Sequence, residues 1–224
     1  SMTNEGNVPA GVLAGIDVLP RPGDTGVTID SARDSRWAAT LIGNFTDNAG
    51  GLGGGAHSFA TYYSTAVPST QCNSADILNE TTPGGIPPSN PCYADVHART
   101  WIPVAGATPA QLATAKALKS VLTYPGAASG DGLAPGRTLH VTFDTTTADY
   151  PAVAELKDRD AIAWNSFAVG AQSRFNGSAQ VTSVVEPRKV GVALSTGRVD
   201  LEKLVVAPPG SSYPLPSSYT FTLA

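Results

Sequence analysis

Short runs of alternating apolar and polar residues recur along the chain. The clearest run is residues 138–143 (TLHVTF), in which polar and apolar residues alternate strictly. Because successive side chains of a β-strand point to opposite faces, this period of two predicts a strand buried on one side. The whole pattern predicts about eight to ten short strands. The other candidate strands lie at residues 27–29, 36–45, 59–67, 96–104, 118–124, 160–169, 180–185 and 189–194.

One segment of the chain has the sequence of a helix start. Thr108 is a good N-cap, Pro109 fits the first helical position, and Gln111 stands where a capping box has its third helical residue. Apolar residues at helical spacing follow, so we expect one short helix over about residues 108–119. One helix among many strands predicts an all-β fold, a β-sandwich with Greek-key connections.

The composition narrows the functional classes. The 224 residues include 14 Lys and Arg against 18 Asp and Glu, a net charge of −4, so the chain offers no basic surface for nucleic acid. Only 14% of residues are charged, while 23 glycines and 18 prolines make the chain rich in turns. A run of about 18 apolar residues, which a membrane span requires, does not occur, so we expect no membrane insertion in this segment. This profile is typical of secreted β proteins.

The two ends of the chain differ from its middle. Ser1 and Met2 have the character of a tag-cleavage scar, and we expect residues 1–19 to be this scar followed by a linker or lead-in segment. The main β-sandwich domain is expected over residues 20–197. The length suits one large domain and part of another, which suggests a segment cut from a longer protein.

Cys72 and Cys92 are the two cysteines of the chain and flank a polar stretch rich in turns. A disulfide between them would stabilise the fold by about 3 kcal/mol by restricting the unfolded loop. An even cysteine count with low charge favours an oxidising compartment. Two buried free thiols are the alternative.

Residues 132–143 (GLAPGRTLHVTF) resemble the L-x-P-G-x-T-x-x-V-x-F hairpin of immunoglobulin-like repeats in bacterial surface proteins. Residues 161–169 (AIAWNSFAV) are similar to the late strand of those repeats that carries an asparagine, and residues 190–194 to their closing strand. The likeness is greatest to actinobacterial cell-wall adhesins and fimbrial shafts. It implies an immunoglobulin-like Greek-key sandwich located at the cell wall.

The same pattern restarts after residue 197. Residues 199–206 and 217–223 resemble the first two strands of a following repeat. We therefore expect residues 198–224 to be the truncated start of that repeat. The alternative is that they are extra strands docked on the main sandwich.

The resemblance also implies a cross-linking chemistry. Fimbrial repeats often carry an isopeptide bond, in which a buried, neutral lysine amine attacks an asparagine or aspartate on a late strand. Asn165 stands at the acceptor position. No lysine precedes Lys116, so the early strands offer no donor, and Lys203 has the neighbours expected of a donor in the following repeat. Asn165 and Lys203 are the candidate cross-link residues.

Enzyme and metal sites have little support in the sequence. The histidines His57, His97 and His140 are scattered, and neither a Gly-x-Ser-x-Gly nor a His-Glu-x-x-His motif is present. The glycine-rich residues 50–55 lack the Lys-Ser/Thr of a phosphate-binding loop. We expect no catalytic residue and no cofactor.

Three acidic residues raise the question of a calcium site. Asp24, Asp30 and Asp34 lie close together in the chain, but their spacing matches no calcium-loop motif. The sequence favours carboxylates exposed in turns, so no metal is expected.

The leading hypothesis is a non-enzymatic adhesin or stalk module of a secreted bacterial protein, whose partners are a host protein or glycan and neighbouring repeats. The loop at residues 50–55 and the stretch from Cys72 to Cys92 are the expected ligand contacts. One alternative is a carbohydrate-binding module of a secreted enzyme, which exposed coplanar tryptophans would favour. The other is a self-cross-linking fimbrial domain.

Overall fold

The computed structural model describes residues 1–29, 31–65, 101–147, 161–175, 178–181 and 185–194. Of these, 47% lie in strands and 8% in helical turns, which confirms the all-β prediction. In this part of the chain, no helix is long and apolar enough to cross a membrane. Several sequence predictions fall outside the described residues: those on Cys72, Cys92, His97, Lys203, Asp30 and residues 198–224.

The strands are short and follow one another along the chain. They are β1 (Met2–Thr3), β2 (Ala10–Val18), β3 (Thr40–Asp47), β4 (Ser58–Ser64), β5 (Ile102–Pro103), β6 (Ala117–Thr123), β7 (Thr138–Leu139), β8 (Val141–Thr146), β9 (Ile162–Asn165), β10 (Phe167–Phe175), β11 (Ser178–Val181) and β12 (Val190–Ala193). A single helical turn, α1, spans Pro109–Leu112, and 3₁₀ turns span Ala49–Gly51 and Pro125–Ser129.

A six-stranded antiparallel sheet in the order β11-β10-β2-β6-β4-β5 forms the centre of the structure. On β2, Ile16 lies opposite Ala168 of β10 and Lys119 of β6. Strand β2 is therefore a middle strand, and its residues are almost all buried.

This position corrects the assignment of residues 10–18 to a linker or lead-in segment, while the origin of Ser1 and Met2 as a tag scar stays a prediction. Met2 is 6% exposed and belongs to the core, and β2 lies within the main sheet rather than before it. The Met2 Sδ lies 2.7 Å from the position that a Cβ on Gly15 would take, so the bare backbone of a glycine makes this packing fit. The small residues that make β2 look like a linker are the ones that let neighbouring groups approach it closely.

A second layer covers one face of the central sheet. It consists of the pairs β3–β8 and β1–β7. One core cluster joins Leu13 and Leu122 of the central sheet to Leu139 of β7, and another joins Leu118 to Leu41 of β3. The two layers make a sandwich-like arrangement with its main core between them.

The opposite face of the central sheet is also buried. Val27 and Trp101 pack on it beside Ile16 and Val121. Lys119 is 1% exposed on this face, with its Nζ 5.9 Å from the centre of the Trp101 ring.

The predicted helix starts where expected and is much shorter than predicted. The capping box is present, since the Gln111 N–H donates to Thr108 Oγ1 and the Thr108 N–H donates to Gln111 Oε1. However, α1 ends at Leu112, and residues 117–123 form strand β6. Because β6 is buried between β2 and β4, sheet pairing outweighs the helical propensity of its alanine, leucine and lysine residues.

Two predicted strands are each divided by one residue. His140 separates β7 from β8, and Ser166 separates β9 from β10. Strand β9 pairs with β12, whereas β10 pairs with β2 and β11, so the chain changes sheets at Ser166. Such changes turn the corners of sandwich folds.

Candidate functional site

A buried ion pair lies in the loop between β2 and β3. Arg33 Nη2 lies 2.8 Å from Asp24 Oδ2, and the two side chains are 3% and 0% exposed. The same oxygen accepts hydrogen bonds from Ser35 Oγ and from the Arg21 N–H. The Arg33 N–H also donates to the Asp24 carbonyl, which closes the loop on itself.

The guanidinium of Arg33 connects this loop to two distant parts of the chain. Nη2 donates to the Val18 carbonyl at 2.8 Å, at the end of β2. Nη1 donates to Asn165 Oδ1 at 3.3 Å and to the Ser166 carbonyl at 3.4 Å, where the chain changes sheets. One side chain therefore fixes the loop, β2 and the β9–β10 junction relative to one another.

Asn165 extends the network to a second acid. Its Nδ2 donates to Asp17 Oδ2 at 3.1 Å. Burial raises the pKa of Asp17 to about 6, against the opposing effects of this hydrogen bond, of the Arg33 charge and of the N-terminal ammonium group of Ser1. The Asp17 Oδ1 atom is inaccessible to solvent and has no hydrogen-bond partner among the described residues. Asp17 is thus a carboxyl whose ionisation the surroundings support only in part.

The Glu186 carboxylate, in contrast to that of Asp17, is surrounded by hydrogen-bond donors. Its oxygens accept hydrogen bonds from the N–H groups of Val27, Thr28 and Ile29 at 2.9, 2.6 and 3.1 Å, and from the Thr28 hydroxyl. Ser166 Oγ donates a further bond at 2.7 Å. Burial disfavours the charged form, but these hydrogen bonds outweigh it and lower the pKa of Glu186. These hydrogen bonds hold residues 27–29 against the β9–β10 junction.

We call the linked residues Asp17, Asp24, Arg33, Asn165 and Glu186 the cluster. Lys189 lies on its outer side. Its Nζ donates to the Arg33 carbonyl at 2.6 Å and lies 4.9 Å from the centre of the Trp164 ring. The Asp34 carboxylate is 3.7 Å away. The Trp164 ring is therefore stacked under a cation.

A cavity of about 350 Å³ adjoins the cluster. Asp17, Asn165 and Ser166 line one part of it, and much of the rest is apolar, including Leu118 and Phe143. This volume lies within the usual range of ligand sites, about 300–1,000 Å³. Arg188 and Ser1 line the cavity too, so its polar groups include a cation as well as the Asp17 carboxyl and the Asn165 amide. Such a lining can bind and orient a group that both donates and accepts hydrogen bonds.

Of the candidate site residues from the sequence, the structure describes Asn165 alone and places it at the centre of this network. The disulfide between Cys72 and Cys92 stays a prediction, as does the role of Lys203. Sequence reasoning missed Asp17, Arg33 and Glu186. A signal existed for Asp17, which interrupts an otherwise apolar run, but neither spacing nor motif marks the other two.

The acidic residues considered for calcium are placed differently from the prediction. Asp24 is 0% exposed and paired with Arg33, so its assignment as a solvated turn carboxylate is wrong. The Asp34 side chain is 74% exposed. Among the described residues, no group of three or more metal-ligating side chains comes together.

The two described histidines differ in environment. The ring nitrogens of His57 lie 3.0 and 2.8 Å from the carbonyls of Gly55 and Ala49, and its ring lies against Tyr124. His57 thus holds the glycine-rich loop in place. His140 is exposed.

Comparisons with protein-family models, curated proteins and solved structures find no match to this chain.

Replacing Arg33 tests the importance of the ion pair. Arg33→Met leaves the buried Asp24 carboxylate without its cation, so we expect the free energy of unfolding to fall by about 3–5 kcal/mol. Arg36→Met, at an exposed arginine three residues away, is the matched control and should change it by less than about 0.5 kcal/mol. Urea unfolding followed by tryptophan fluorescence measures both. Equal, small losses in the two variants would contradict the role assigned to Arg33.

The raised pKa of Asp17 predicts a pH dependence of stability. Between the ordinary value of 3.8 and about 6, the folded protein holds a proton that the unfolded chain has released. The contribution of Asp17 to stability therefore falls as pH rises through this window and stays low above it. Asp17→Asn removes the free-energy cost of ionising this buried carboxyl. Above pH 6 the variant should therefore be more stable than the wild type, by at most roughly 3 kcal/mol.

This difference should disappear below about pH 4, where the carboxyl is protonated in both states. Urea unfolding at a series of pH values measures it. Glu5→Gln, at an exposed acid, controls for the loss of one negative charge. A stability difference for Asp17→Asn that does not change with pH would contradict the raised pKa.

Proposed function

We propose that the chain is a non-enzymatic module of a secreted, cell-wall-attached bacterial protein, and that it presents or spaces a binding surface. The proposed fold is an immunoglobulin-like Greek-key sandwich. The low charge, the turn-rich composition and the resemblance of residues 132–143 and 161–169 to surface-protein repeats support this proposal. Its partners would be a host protein or glycan and neighbouring repeats.

The observation that carries the proposal is the way the cluster uses its ionisable groups. Arg33 bonds Asn165 and Ser166, and Glu186 is held by the backbone N–H groups of residues 27–29, so both charged groups connect segments far apart in the chain. Side chains used in this way resist separation of the segments that they join. That property suits a domain that transmits force along a surface protein more than one that turns over a substrate.

The carbohydrate-binding alternative has less support. Trp37 and Trp101 are 4% and 2% exposed, and the Trp164 ring lies under Lys189. Sugar rings stack on exposed, coplanar aromatic side chains, and these three tryptophans do not form such a surface.

The hydrogen-bond partners of Asn165 argue against the self-cross-linking alternative. The group that bonds its Oδ1 is the guanidinium of Arg33, which stays protonated and is no nucleophile. The buried Lys119 faces the side of the central sheet that carries Ile16, away from Asp17 and Asn165. We therefore propose that Asn165 serves as a hydrogen-bonding link rather than as an isopeptide acceptor.

Intact mass measured under denaturing, reducing conditions tests this assignment. We expect the full theoretical mass, because an isopeptide bond releases one ammonia. Asn165→Ala is the control and should also have its full theoretical mass. A wild-type mass short by one ammonia, restored to the full value in Asn165→Ala, would overturn the assignment.

An array of glycans and matrix proteins tests the adhesive function. We expect the purified protein to bind at least one immobilised component without changing it chemically. Gly50→Arg changes the glycine-rich loop at a position where an added side chain meets no neighbour, and it should weaken binding at least about tenfold. Val192→Arg, at an exposed site on β12, is the control. Failure to bind any component, or hydrolysis of a bound glycan, would contradict the proposal.

A further inference from the structure

The glycine-rich loop at residues 50–55 is held through its carbonyl groups. The Tyr124 hydroxyl donates to the Gly53 carbonyl at 2.9 Å, and Arg137 Nη2 donates to the Gly51 carbonyl at 3.1 Å. Both donors come from parts of the chain more than 70 residues away in sequence. The conformation of the loop therefore depends on hydrogen bonds that other segments supply.

Packing contributes little to the order of this loop. Gly53, Gly54 and Gly55 have φ angles of 68°, 82° and 109°, which residues with a side chain rarely adopt. Glycine also loses more backbone freedom on ordering than any other residue. No described residue lies within 4 Å of the position that a Cβ on Gly50, Gly51 or Gly53 would take. The loss of a single hydrogen bond should therefore shift the loop towards other conformations.

The two ends of the loop meet at the His57 ring. Its Nε2 lies 2.8 Å from the carbonyl oxygen of Ala49, just before the loop, and its Nδ1 lies 3.0 Å from that of Gly55. A neutral imidazole has one N–H, so it can donate to only one of these oxygens, and a nitrogen lone pair then faces the other. An imidazolium has an N–H on each nitrogen and can donate to both. The geometry is satisfied in full only by the protonated ring.

The other charged or ionisable side chains beside the loop, among the described residues, are Asp47, Asp131, Tyr124 and Arg137. The Asp47 carboxylate accepts from the Ala49 N–H, and the Asp131 carboxyl packs against Gly55. Carboxyl groups of aspartate ordinarily titrate near about pH 4, and arginine stays protonated. Burial raises the pKa of Tyr124 above its ordinary value, so its hydroxyl keeps its proton. Imidazoles, by contrast, change charge within roughly pH 5–8.

We propose that His57 is a pH-dependent switch that controls the order of the glycine-rich loop. In the protonated state its two N–H groups bind the carbonyls of Ala49 and Gly55 and hold the two ends of the loop together. As the pH rises and the ring loses its proton, one carbonyl loses its donor and the loop becomes less ordered. Order is therefore greatest at acidic pH and falls towards neutral pH.

The switch also regulates the adhesive surface, a consequence that rests on the proposed function. The loop is the expected ligand contact, so a ligand that selects the described conformation of the loop binds more tightly at acidic pH. The change in loop order needs no ligand. It can therefore be measured on the protein alone, and a failure of the switch is distinguishable from a failure of the adhesive function.

Amide hydrogen exchange at about pH 5.5 and about pH 7.5 tests the switch. The N–H groups of Gly51, Leu52 and Gly132 donate to carbonyls in or next to the loop and report its order. After correction for the intrinsic pH dependence of exchange, we expect their protection to be about two- to tenfold lower at the higher pH, the effect of one hydrogen bond. Leu122, on a strand paired on both sides, is the reference for global stability.

The two described histidines provide matched variants. His57→Gln cannot change its charge, so protection of the loop amides should differ by less than about 1.5-fold between the two pH values. His140→Gln, at the exposed histidine, should keep the wild-type response. Unchanged protection at Leu122 shows that each variant is folded.

Nitrogen-15 resonances of the His57 ring report its protons directly. We expect both ring nitrogens to carry a proton at about pH 5.5 and one of them to have lost it at about pH 7.5. The proposal is overturned if protection of the loop amides in the wild type is the same at both pH values, or if His57→Gln retains the wild-type response. A ring with a single N–H at the lower pH would also overturn it.

Discussion

The guanidinium of Arg33 has to find partners inside the protein, and the organisation of the site follows from this requirement. An arginine at 3% exposure carries a charge and five N–H groups away from water. Asp24 supplies the counter-charge, and the carbonyls of Val18 and Ser166 accept two of the N–H groups. Buried ion pairs often add little net stability compared with apolar residues, so we infer that this pair mainly selects one arrangement of loop, β2 and β9–β10 junction.

The change of sheets at Ser166 follows from the same network. Asn165 bonds Arg33 and Asp17, while Ser166 bonds Glu186, so consecutive side chains are held by different partners. A strand fixed in this way on both sides of one residue bends there instead of continuing in a single sheet. As a result, β9 and β12 form a separate pair, and the cavity lies between that pair and β8.

How far the sequence predicts this structure depends on the type of signal. The alternation in residues 138–143 and 160–169 correctly predicts β7, β8, β9 and β10, because half-buried strands show it directly. Strand β2 was missed because it is buried on both faces and rich in glycine and alanine, so it has no alternation to detect. The strand expected over residues 118–124 is present as β6, whereas the helix expected over about residues 108–119 ends at Leu112. Local propensity extends this helix too far because it carries no information about β2 and β4, the neighbours with which β6 pairs. The Arg33–Asp24 pair is a tertiary contact within an irregular loop, where spacing gives no prediction.

Two acidic residues close to each other, Glu186 and Asp17, show how hydrogen-bond donors determine the pKa of a carboxyl in this site. Glu186 accepts hydrogen bonds from three backbone N–H groups and two hydroxyls, and its pKa is lowered. Asp17 accepts one from Asn165, and its pKa is raised. Both acids are desolvated, so the supply of donors sets the direction of each shift. The protein itself therefore supplies Glu186 with enough hydrogen-bond donors to stabilise its charged form. Asp17 has one such donor, and its charged form is less well stabilised. Asp17 also lines the cavity of about 350 Å³, together with Asn165 and Arg188. The polar part of the cavity lining therefore contains both an acid and a base, while β6 and β8 contribute apolar walls through Leu118 and Phe143.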